Sequence, residues 1–258
     1  EDGASKSRPT WSRDGSTLAY STSHPWAVFA VGADGSAPTQ VSTDDGSASD
    51  AAVSPDGSQV AFTQHGPEDA SDDLYIANRD GSGLRRLIQT PLEERAPSWS
   101  PDGRRIAFMS STGGWTGWLN IMDLATEDVV TILQAHVTSR LDWSPDGRKL
   151  LYSAGGNIHI VNADGRGAQY LGFGEWPVWS PDGTMIASTR DEAAGGMDAA
   201  GANGEFVAGG LSRASGVAWS PFIEPFPQLH IVAPEDGAVV AAGDGSIGVR
   251  VALGSAPP

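Results

Sequence analysis

The chain has 258 residues, a formal net charge of −16 and no cysteine. A disulfide framework, a cysteine-ligated zinc site and a cysteine nucleophile are therefore excluded. No apolar run is long enough to span a membrane and no segment resembles a signal peptide, so Glu1 is expected to be a mature or trimmed start. Because the chain carries no basic stripe, nucleic acid is not expected as a partner.

A short motif built on Ser-Pro-Asp-Gly, usually preceded by tryptophan, recurs throughout the chain. Its copies begin at Trp11, Val53, Trp99, Trp143, Trp179 and Trp219. The first copy has Arg13 in place of proline, and the sixth runs into Phe222 where the others have Asp-Gly. The spacings between copies are 42, 46, 44, 36 and 40 residues. A period of roughly 20–50 residues is typical of a repeat architecture.

The fourth repeat, residues 139–172, shows what one repeat contains. Pro145-Asp146-Gly147 has the residues of a tight turn, since proline presets φ and glycine tolerates positive φ. Asn162 to Gly165 is a second turn of the same kind. The apolar and β-branched segments around the turns predict four strands: Arg140 to Ser144, Lys149 to Ser153, Ile158 to Val161 and Gln169 to Leu171.

Four short antiparallel strands cannot bury both of their faces alone, but several such meanders packed radially can. The sequence therefore predicts an all-β fold, a β-propeller of four-stranded antiparallel blades. Five repeats are clear and a sixth is incomplete, so six blades are expected. The repeat tryptophans (Trp11, Trp99, Trp143, Trp179 and Trp219) are expected in the core between blades.

The repeat pattern resembles a known family. Trp-Ser-Pro-Asp-Gly followed by an apolar strand, then an Ile-x-Ile strand and Asn-Ala-Asp-Gly, is similar to the TolB-like propeller repeat over roughly residues 8–221. The same repeat resembles blades of the periplasmic TolB protein and of the non-catalytic propellers of prolyl-oligopeptidase-type peptidases. The resemblance implies the fold and an extracytoplasmic location (periplasmic, secreted or cell surface), and it names no ligand.

The two ends of the chain allow alternatives. Residues 1–221 are predicted to be the propeller. Residues 222–258 are either a degenerate sixth blade, with Leu229 to Val232 as its third strand and residues 1–8 as its outer strand, or the first strands of an immunoglobulin-like domain. Both alternatives stay open at the sequence level.

Binding residues are expected at one end of the propeller. Hairpins within blades crowd one end, whereas loops of variable length between the second and third strands, and between blades, lie at the other. The polar and aromatic residues of these loops form the predicted site: His65, Glu68, Asp69, Asp72, Asp73, Trp115, Trp118, Glu93, Glu94, Trp176, Asp191 and Glu192.

Two parts of this predicted site have more than one interpretation. Glu68, Asp72 and Asp73 could ligate Ca²⁺, which prefers several oxygen ligands on a flexible loop, or they could form a solvated acidic loop without any cofactor. Trp115 and Trp118 could stack on a sugar or anchor a protein, or could cover a blade edge.

No catalytic residues are predicted. Gly-x-Ser-x-Gly is absent, and so is any α/β segment that could carry a hydrolase triad. The favoured hypothesis is a non-enzymatic binding or scaffold propeller for a protein or glycan. One alternative is a structural subunit that forms a homopolymer, or contacts a neighbouring domain, by strand addition. Two further alternatives connect the chain with enzymes. It could be the non-catalytic propeller of a peptidase, or it could be a metal-dependent lyase.

Overall fold

The computed structural model describes residues 6–44, 46–66, 71–113, 117–135, 140–190, 193–201, 205–208, 217–220 and 228–231. All regular secondary structure in these residues is β-strand. The strands form five four-stranded antiparallel sheets and one two-stranded sheet, and neighbours in each sheet follow the order of the chain. This confirms the predicted all-β propeller with four-stranded blades.

The strands fall into blades as follows. Blade 1 consists of β1 Lys6–Trp11, β2 Thr17–Thr22, β3 Val28–Gly32 and β4 Thr39–Gln40. Blade 2 consists of β5 Ser47–Val53, β6 Gln59–His65, β7 Asp73–Asn78 and β8 Arg85–Arg86. Blade 3 consists of β9 Glu93–Trp99, β10 Arg105–Ser111, β11 Gly117–Asp123 and β12 Val129–Ala135. Blade 4 consists of β13 Asp142–Trp143, β14 Lys149–Ala154, β15 Asn157–Asn162 and β16 Gln169–Phe173. Blade 5 consists of β17 Glu175–Trp179, β18 Met185–Arg190, β19 Ala193–Asp198 and β20 Glu205–Ala208. The two-stranded sheet consists of β21 Val217–Ser220 and β22 Gln228–Ile231.

The Ser-Pro-Asp-Gly motif forms the turn between the first two strands of each blade. In blade 4, the Ser144 hydroxyl donates to Oδ1 of Asp146 at 2.6 Å and accepts the Lys149 N–H at 2.9 Å. The Arg148 N–H also donates to that Asp146 oxygen, at 3.1 Å. The bond from Ser144, followed by that from the Arg148 N–H, lowers the pKa of Asp146. Gly147 completes the turn with a φ of 68°, a conformation that glycine adopts without a steric penalty.

The same bonds recur in the other four blades. The serine hydroxyl donates to the aspartate at 2.6 or 2.7 Å in each of the pairs Ser12–Asp14, Ser54–Asp56, Ser100–Asp102 and Ser180–Asp182. The repeated residues therefore build one turn five times, and this turn fixes how the first two strands of each blade pair.

Neighbouring blades pack through apolar side chains and through the repeat tryptophans. One apolar cluster contains Val28 of blade 1 and Phe62 of blade 2. The indole of Trp99 donates to the carbonyl of Ala52 in the preceding blade at 3.1 Å, and that of Trp143 donates to Ser98 in the same way at 3.1 Å. These bonds satisfy two buried indole N–H groups and link blade 3 to blade 2 and blade 4 to blade 3.

The tryptophan prediction holds for three of the five positions. Trp99, Trp143 and Trp179 are buried, as predicted. Trp11 is 36% exposed, so it is not a core residue in the described structure. Trp11 belongs to the first blade, and the blade that would precede it in a closed ring has no described side chains. The side chain of Trp219 lies outside the described residues.

Two expectations about the chain ends are corrected. Lys6 and Ser7 pair with Thr22 and Ser21 of β2, so residues 6–8 belong to the innermost strand of blade 1 and not to the outer strand of another blade. The residues of β22 were expected to form the third strand of a blade. β22 instead pairs directly with β21, as the second strand pairs with the first in the other blades. The domain boundary at residue 222 stays a prediction.

The two ends of the propeller carry different connections between strands. The hairpins between first and second strands and between third and fourth strands lie at one end, which we call the turn face. The connections between second and third strands, and those between blades, lie at the other end, which we call the loop face. Among the described residues, no helix is long and apolar enough to cross a membrane.

Replacing Ser144 with alanine tests the turn network. The change removes a buried hydroxyl that both donates and accepts, and it leaves the Lys149 N–H without its side-chain acceptor. We expect S144A to lower the free energy of unfolding by about 1–3 kcal/mol, measured by urea denaturation. S47A is the matched control, because Ser47 is exposed and its hydroxyl makes no hydrogen bond to the described residues. The control should change stability by less than about 0.5 kcal/mol, and equal losses in both variants would contradict the assignment.

Candidate functional site

The innermost strands share an irregularity at the loop face. Pairing with the second strand shifts register near the start of β1, β5, β9 and β17, as expected for β-bulges. One residue in each bulge has a positive φ: Arg8 at 52°, Asp50 at 51°, Ala96 at 54° and Trp176 at 55°. Each lies three residues before the tryptophan position of its repeat. Such a conformation is uncommon for non-glycine residues and often occurs where a side chain has been redirected for function.

We call these four residues, together with Arg140 at the same repeat position in blade 4, the entry ring. Side chains of the entry ring meet across blades. Arg8 forms an ion pair with Asp50 of blade 2, and its guanidinium lies 5.5 Å from the centre of the Trp176 ring of blade 5. Residues from both ends of the described propeller are therefore brought together near its axis.

A cluster of charged side chains lies beside the entry ring, between blades 2 and 3. Asp72 is at its centre, with Nη2 of Arg95 at 2.8 Å and Nδ1 of His65 at 3.3 Å from its two oxygens. Arg95 also lies 3.2 Å from a carboxylate oxygen of Glu93. We call His65, Asp72, Glu93 and Arg95 the mouth cluster. All four remain partly exposed, so they can contact a ligand at the loop face.

A second layer of charge lies beneath the mouth cluster. Asp73 and Glu94, next in the chain to Asp72 and Glu93, are 0% and 1% exposed. Asp73 forms an ion pair with Arg86, and the Thr90 hydroxyl donates to Glu94 at 2.5 Å. Burial raises the pKa of Glu94 to about 7; the Thr90 hydrogen bond opposes this rise, and the charge of Asp73 and a hydrogen bond with it add to it. Glu94 therefore binds a proton at mildly acidic pH, next to the carboxyl group of Asp73.

A further, partly buried carboxyl group lies in blade 4. Asp142 accepts the backbone N–H of Trp179 at 2.7 Å, which links blades 4 and 5. Burial raises the pKa of Asp142 to about 6, against the effects of that hydrogen bond and of the positive charges of Arg140 and Arg13. Arg13 reaches this region from blade 1, since its guanidinium also donates to the carbonyl of Pro181 at 3.4 Å.

The structure separates the predicted site residues into several groups. His65, Asp72 and Glu93 come together in the mouth cluster, and Trp176 belongs to the entry ring. Asp73 and Glu94 lie beneath the surface instead of lining it. Trp118 is half-buried on β11. Five predicted residues lie outside the described residues: Glu68, Asp69, Trp115, Asp191 and Glu192.

The predicted calcium ligands that are described already have cationic partners. Asp73 is paired with Arg86, and Asp72 with Arg95, while Nδ1 of His65 also lies 3.3 Å from Asp72. Within the described ranges, no group of three His, Cys, Asp or Glu side chains is arranged to hold a metal ion. The calcium site remains a prediction that depends on Glu68.

Some residues of the site were not singled out from the sequence. Arg8, Asp50 and Arg140 occupy a repeat position whose residue changes from blade to blade, and that variability was the available signal. Trp26 in the β2–β3 connection is 52% exposed on the loop face, with the His24 ring 6.2 Å away. It is one of four tryptophans outside the repeat position. Of the three that the structure describes, Trp26 lies in a loop-face connection, and Trp118 and Trp176 lie at the loop-face starts of β11 and β17.

Together these features define a β-propeller with a constant turn face and a loop face that carries charged and aromatic groups around the axis. Residues 4–223 match the family described as the TolB beta propeller domain. The chain belongs to this family.

Curated relatives match parts of the chain. Protein TolB homolog of Chlorobium luteolum is 32% identical over 138 residues, which cover 51% of this chain and 31% of that protein. Tol-Pal system protein TolB of Alcanivorax borkumensis is 30% identical over 94 residues, 36% of this chain and 22% of that protein. Dipeptidyl-peptidase 5 of Porphyromonas gingivalis is 41% identical over 70 residues, 26% of this chain and 10% of that protein. The matched regions thus span less than a third of each of these relatives.

Solved structures share the fold. The structure of putative TolB from Agrobacterium tumefaciens has a TM-score of 0.64 at 23% identity, covering 78% of this chain and 79% of that one. TolB from Acinetobacter baumannii has a TM-score of 0.61 at 18% identity, covering 96% of this chain and 65% of that one. An oligogalacturonate lyase in complex with manganese has a TM-score of 0.57 at 15% identity, covering 73% and 63%. At these identities the likeness is one of fold alone.

The buried carboxyl pair predicts how stability depends on pH. The pKa of Glu94 is about 7 in the folded chain against an ordinary value of 4.5, so the folded state holds a proton that the unfolded state has lost between these values. Stability should therefore fall as pH rises from about 4.5 to about 7, by at most about 1.4 kcal/mol per pH unit for this one group. E94Q keeps an acceptor for Thr90 and a donor for Asp73, so it should flatten this slope and be more stable than the native chain at pH 8.

Urea denaturation at several pH values measures the effect, and E93Q is the matched control. Asp142 also makes the free energy of unfolding fall as pH rises, up to about pH 6. This contribution of Asp142 should persist in both variants. A slope in E94Q equal to the slope in E93Q would show that Glu94 is not the titrating group.

Proposed function

We propose that this chain is a non-enzymatic binding module that acts outside the cytoplasm and engages a protein partner through its loop face. The observation that carries the proposal is the convergence of the entry ring and the mouth cluster on one end of the propeller axis. Charged and aromatic side chains from at least three blades meet there, while the repeat residues that surround them serve only the fold.

The chemistry of the loop face supports a protein partner. Arginine and tryptophan are the residue types that most often dominate protein interfaces, and Arg8, Arg95, Trp26 and Trp176 all lie on this face. The turn face is a poorer candidate, because the polar side chains of its Ser-x-Asp-Gly turns are largely used within the turns themselves. The TolB relatives include proteins named for the Tol-Pal system, and this supports an extracytoplasmic location for the chain.

The enzymatic and structural alternatives have weaker support. The similarity to Dipeptidyl-peptidase 5 covers 10% of that protein, so it supports a shared repeat and not a shared reaction. The lyase neighbour shares only the fold. The alternatives of a glycan ligand and of a homopolymer remain separate proposals that rest on the sequence.

We also propose that β21 and β22 belong to a sixth blade. β21 packs against β17 and β18 of blade 5. β5 packs in the same way against β1 and β2 of blade 1, and β9 against β5 and β6 of blade 2. The sequence spacing supports this proposal as well, since Trp219 follows Trp179 by 40 residues, within the range of the other repeats.

Replacing Trp26 with alanine tests the loop face. The partner is first captured on the immobilised chain from cell-envelope extract of the source organism, identified by mass spectrometry, and then titrated as a purified protein. W26A should weaken its affinity by about tenfold or more, because a large aromatic contact is lost, with little change in stability. Y170A is the matched control, since Tyr170 is also 52% exposed but lies on β16 at the outer edge of blade 4. A loss in Y170A with unchanged binding in W26A would place the interface on the blade edge and refute the loop-face assignment.

A further inference from the structure

Arg140 differs from the other arginines around the axis. Arg8 is paired with Asp50, and Arg95 with Asp72 and Glu93. The half-buried Arg140 side chain makes neither an ion pair nor a hydrogen bond to any residue that the structure describes. A guanidinium has five donors, and leaving them without acceptors at a partly desolvated position is unfavourable.

Arg140 occupies in blade 4 the repeat position that Arg8 occupies in blade 1, and Arg95 directly precedes that position in blade 3. The pKa of Arg8 is lowered by burial and then by the positive charges of Arg140 and Arg95. Three guanidinium groups therefore converge at one end of the axis in a chain whose net charge is −16. The carboxylates of Asp50, Asp72 and Glu93 neutralise Arg8 and Arg95 through ion pairs, whereas Arg140 feels the charge of Asp142 without an ion pair to any described residue, so its donors can take an external anion.

We propose that Arg140 is the anchor of a carboxylate-binding subsite at the loop-face end of the axis, with Arg8 beside it and the Trp176 ring as its apolar wall. The occupant is a carboxylate group of the protein partner. This inference rests on the proposed function, because it states the chemistry that the loop face recognises.

A carboxylate fits the subsite better than other anions. Its two oxygens match the planar fork of a guanidinium and accept two parallel hydrogen bonds. A single negative charge suits the surroundings, since a dianion such as phosphate would be repelled by the nearby Asp50 and Asp72. The Trp176 ring would contact the hydrocarbon part of the carboxylate-bearing group.

Asp142 adds a dependence on pH that geometry and charge both support. The negative charge of Asp142 acts on Arg140, two residues earlier in the chain. The other groups that act on Asp142 are Arg13, from the turn at the start of blade 1, and the backbone N–H groups of Trp143 and Trp179. Because the pKa of Asp142 is about 6, protonation there leaves Arg140 without its nearest internal counter-charge. Carboxylate affinity should therefore rise as pH falls from 8 to 6.

Benzoate is the probe that tests the subsite, and benzamide, of similar shape without charge, is the ligand control. Binding to the full chain is followed by calorimetry and by the indole N–H signal of Trp176 in NMR spectra, assigned with W176F. We expect R140Q to weaken benzoate binding by at least about tenfold, the usual effect of losing a hydrogen-bonded charge. R166Q is the matched variant, because Arg166 is an exposed arginine of the same blade at the turn face.

The remaining variants separate the possible outcomes. R140K keeps the charge without the fork and should bind with intermediate affinity, so it replaces R140Q if that variant does not fold. D142N at pH 8 should bind benzoate at least as tightly as the native chain does at pH 6, where Asp142 is about half protonated. Equal affinity for benzoate and benzamide, or equal loss in R140Q and R166Q, would overturn the subsite.

Two acetylated tetrapeptides identify the source of the carboxylate. One carries a free C-terminus and no acidic side chain, and the other carries one internal glutamate and an amidated C-terminus. Tighter binding of the first assigns the subsite to a chain terminus, and tighter binding of the second assigns it to an acidic side chain. Loss of both peptides in R140Q supports the subsite, whereas retention of both refutes it. These probes need no natural partner, so failure here is distinguishable from failure of partner capture in W26A.

Discussion

The hydrogen bond from a buried serine to the aspartate two residues later is the constraint on which each blade depends. In blade 4, Ser144 joins Asp146 to the N–H of Lys149, so one hydroxyl ties the end of the first strand to the start of the second. Gly147 supplies the positive φ that closes the turn. With the hairpin fixed, the adjacent tryptophan is held where its indole reaches the preceding blade. A local turn thereby sets the packing between blades.

A fixed turn face leaves the loop face free to vary. The position three residues before the tryptophan holds Arg8, Asp50, Ala96, Arg140 and Trp176 in successive blades. An arginine, an aspartate, an alanine and a tryptophan differ in size and in polarity. Packing in the core therefore does not determine which residue occupies this position. The bulges that place four of these residues at positive φ cost conformational energy, and they do so at the end of the axis where the described side chains of several blades meet.

The sequence predicted the strands and turns that recur in every blade, and it missed contacts that occur only once. The strand Lys149 to Ser153 was predicted within one residue of β14, because turn residues and apolar alternation recur in every blade. The contact of Arg8 with Trp176 joins blades 1 and 5, and no periodic signal reports it. Asp73 and Glu94 were taken for surface acids because composition does not distinguish them from their neighbours. Alternation along a strand held the missing information, since Asp72 and Glu93 face outward while the residues that follow them face inward.

This alternation ties the surface to the buried layer. The N–H of Glu94 donates to the carbonyl of Asp72 at 2.8 Å, so the two acidic segments are joined through their backbones. Inside, Asp73 and Glu94 are two carboxyl groups next to one arginine, Arg86, and a proton on Glu94 relieves their repulsion. Outside, Asp72 orients Arg95. The inner and outer carboxylates are consecutive residues of the same segments, so one stretch of backbone positions both the mouth cluster and the buried pair. The proposed binding surface is therefore built on the same segments that hold the buried ionisable pair.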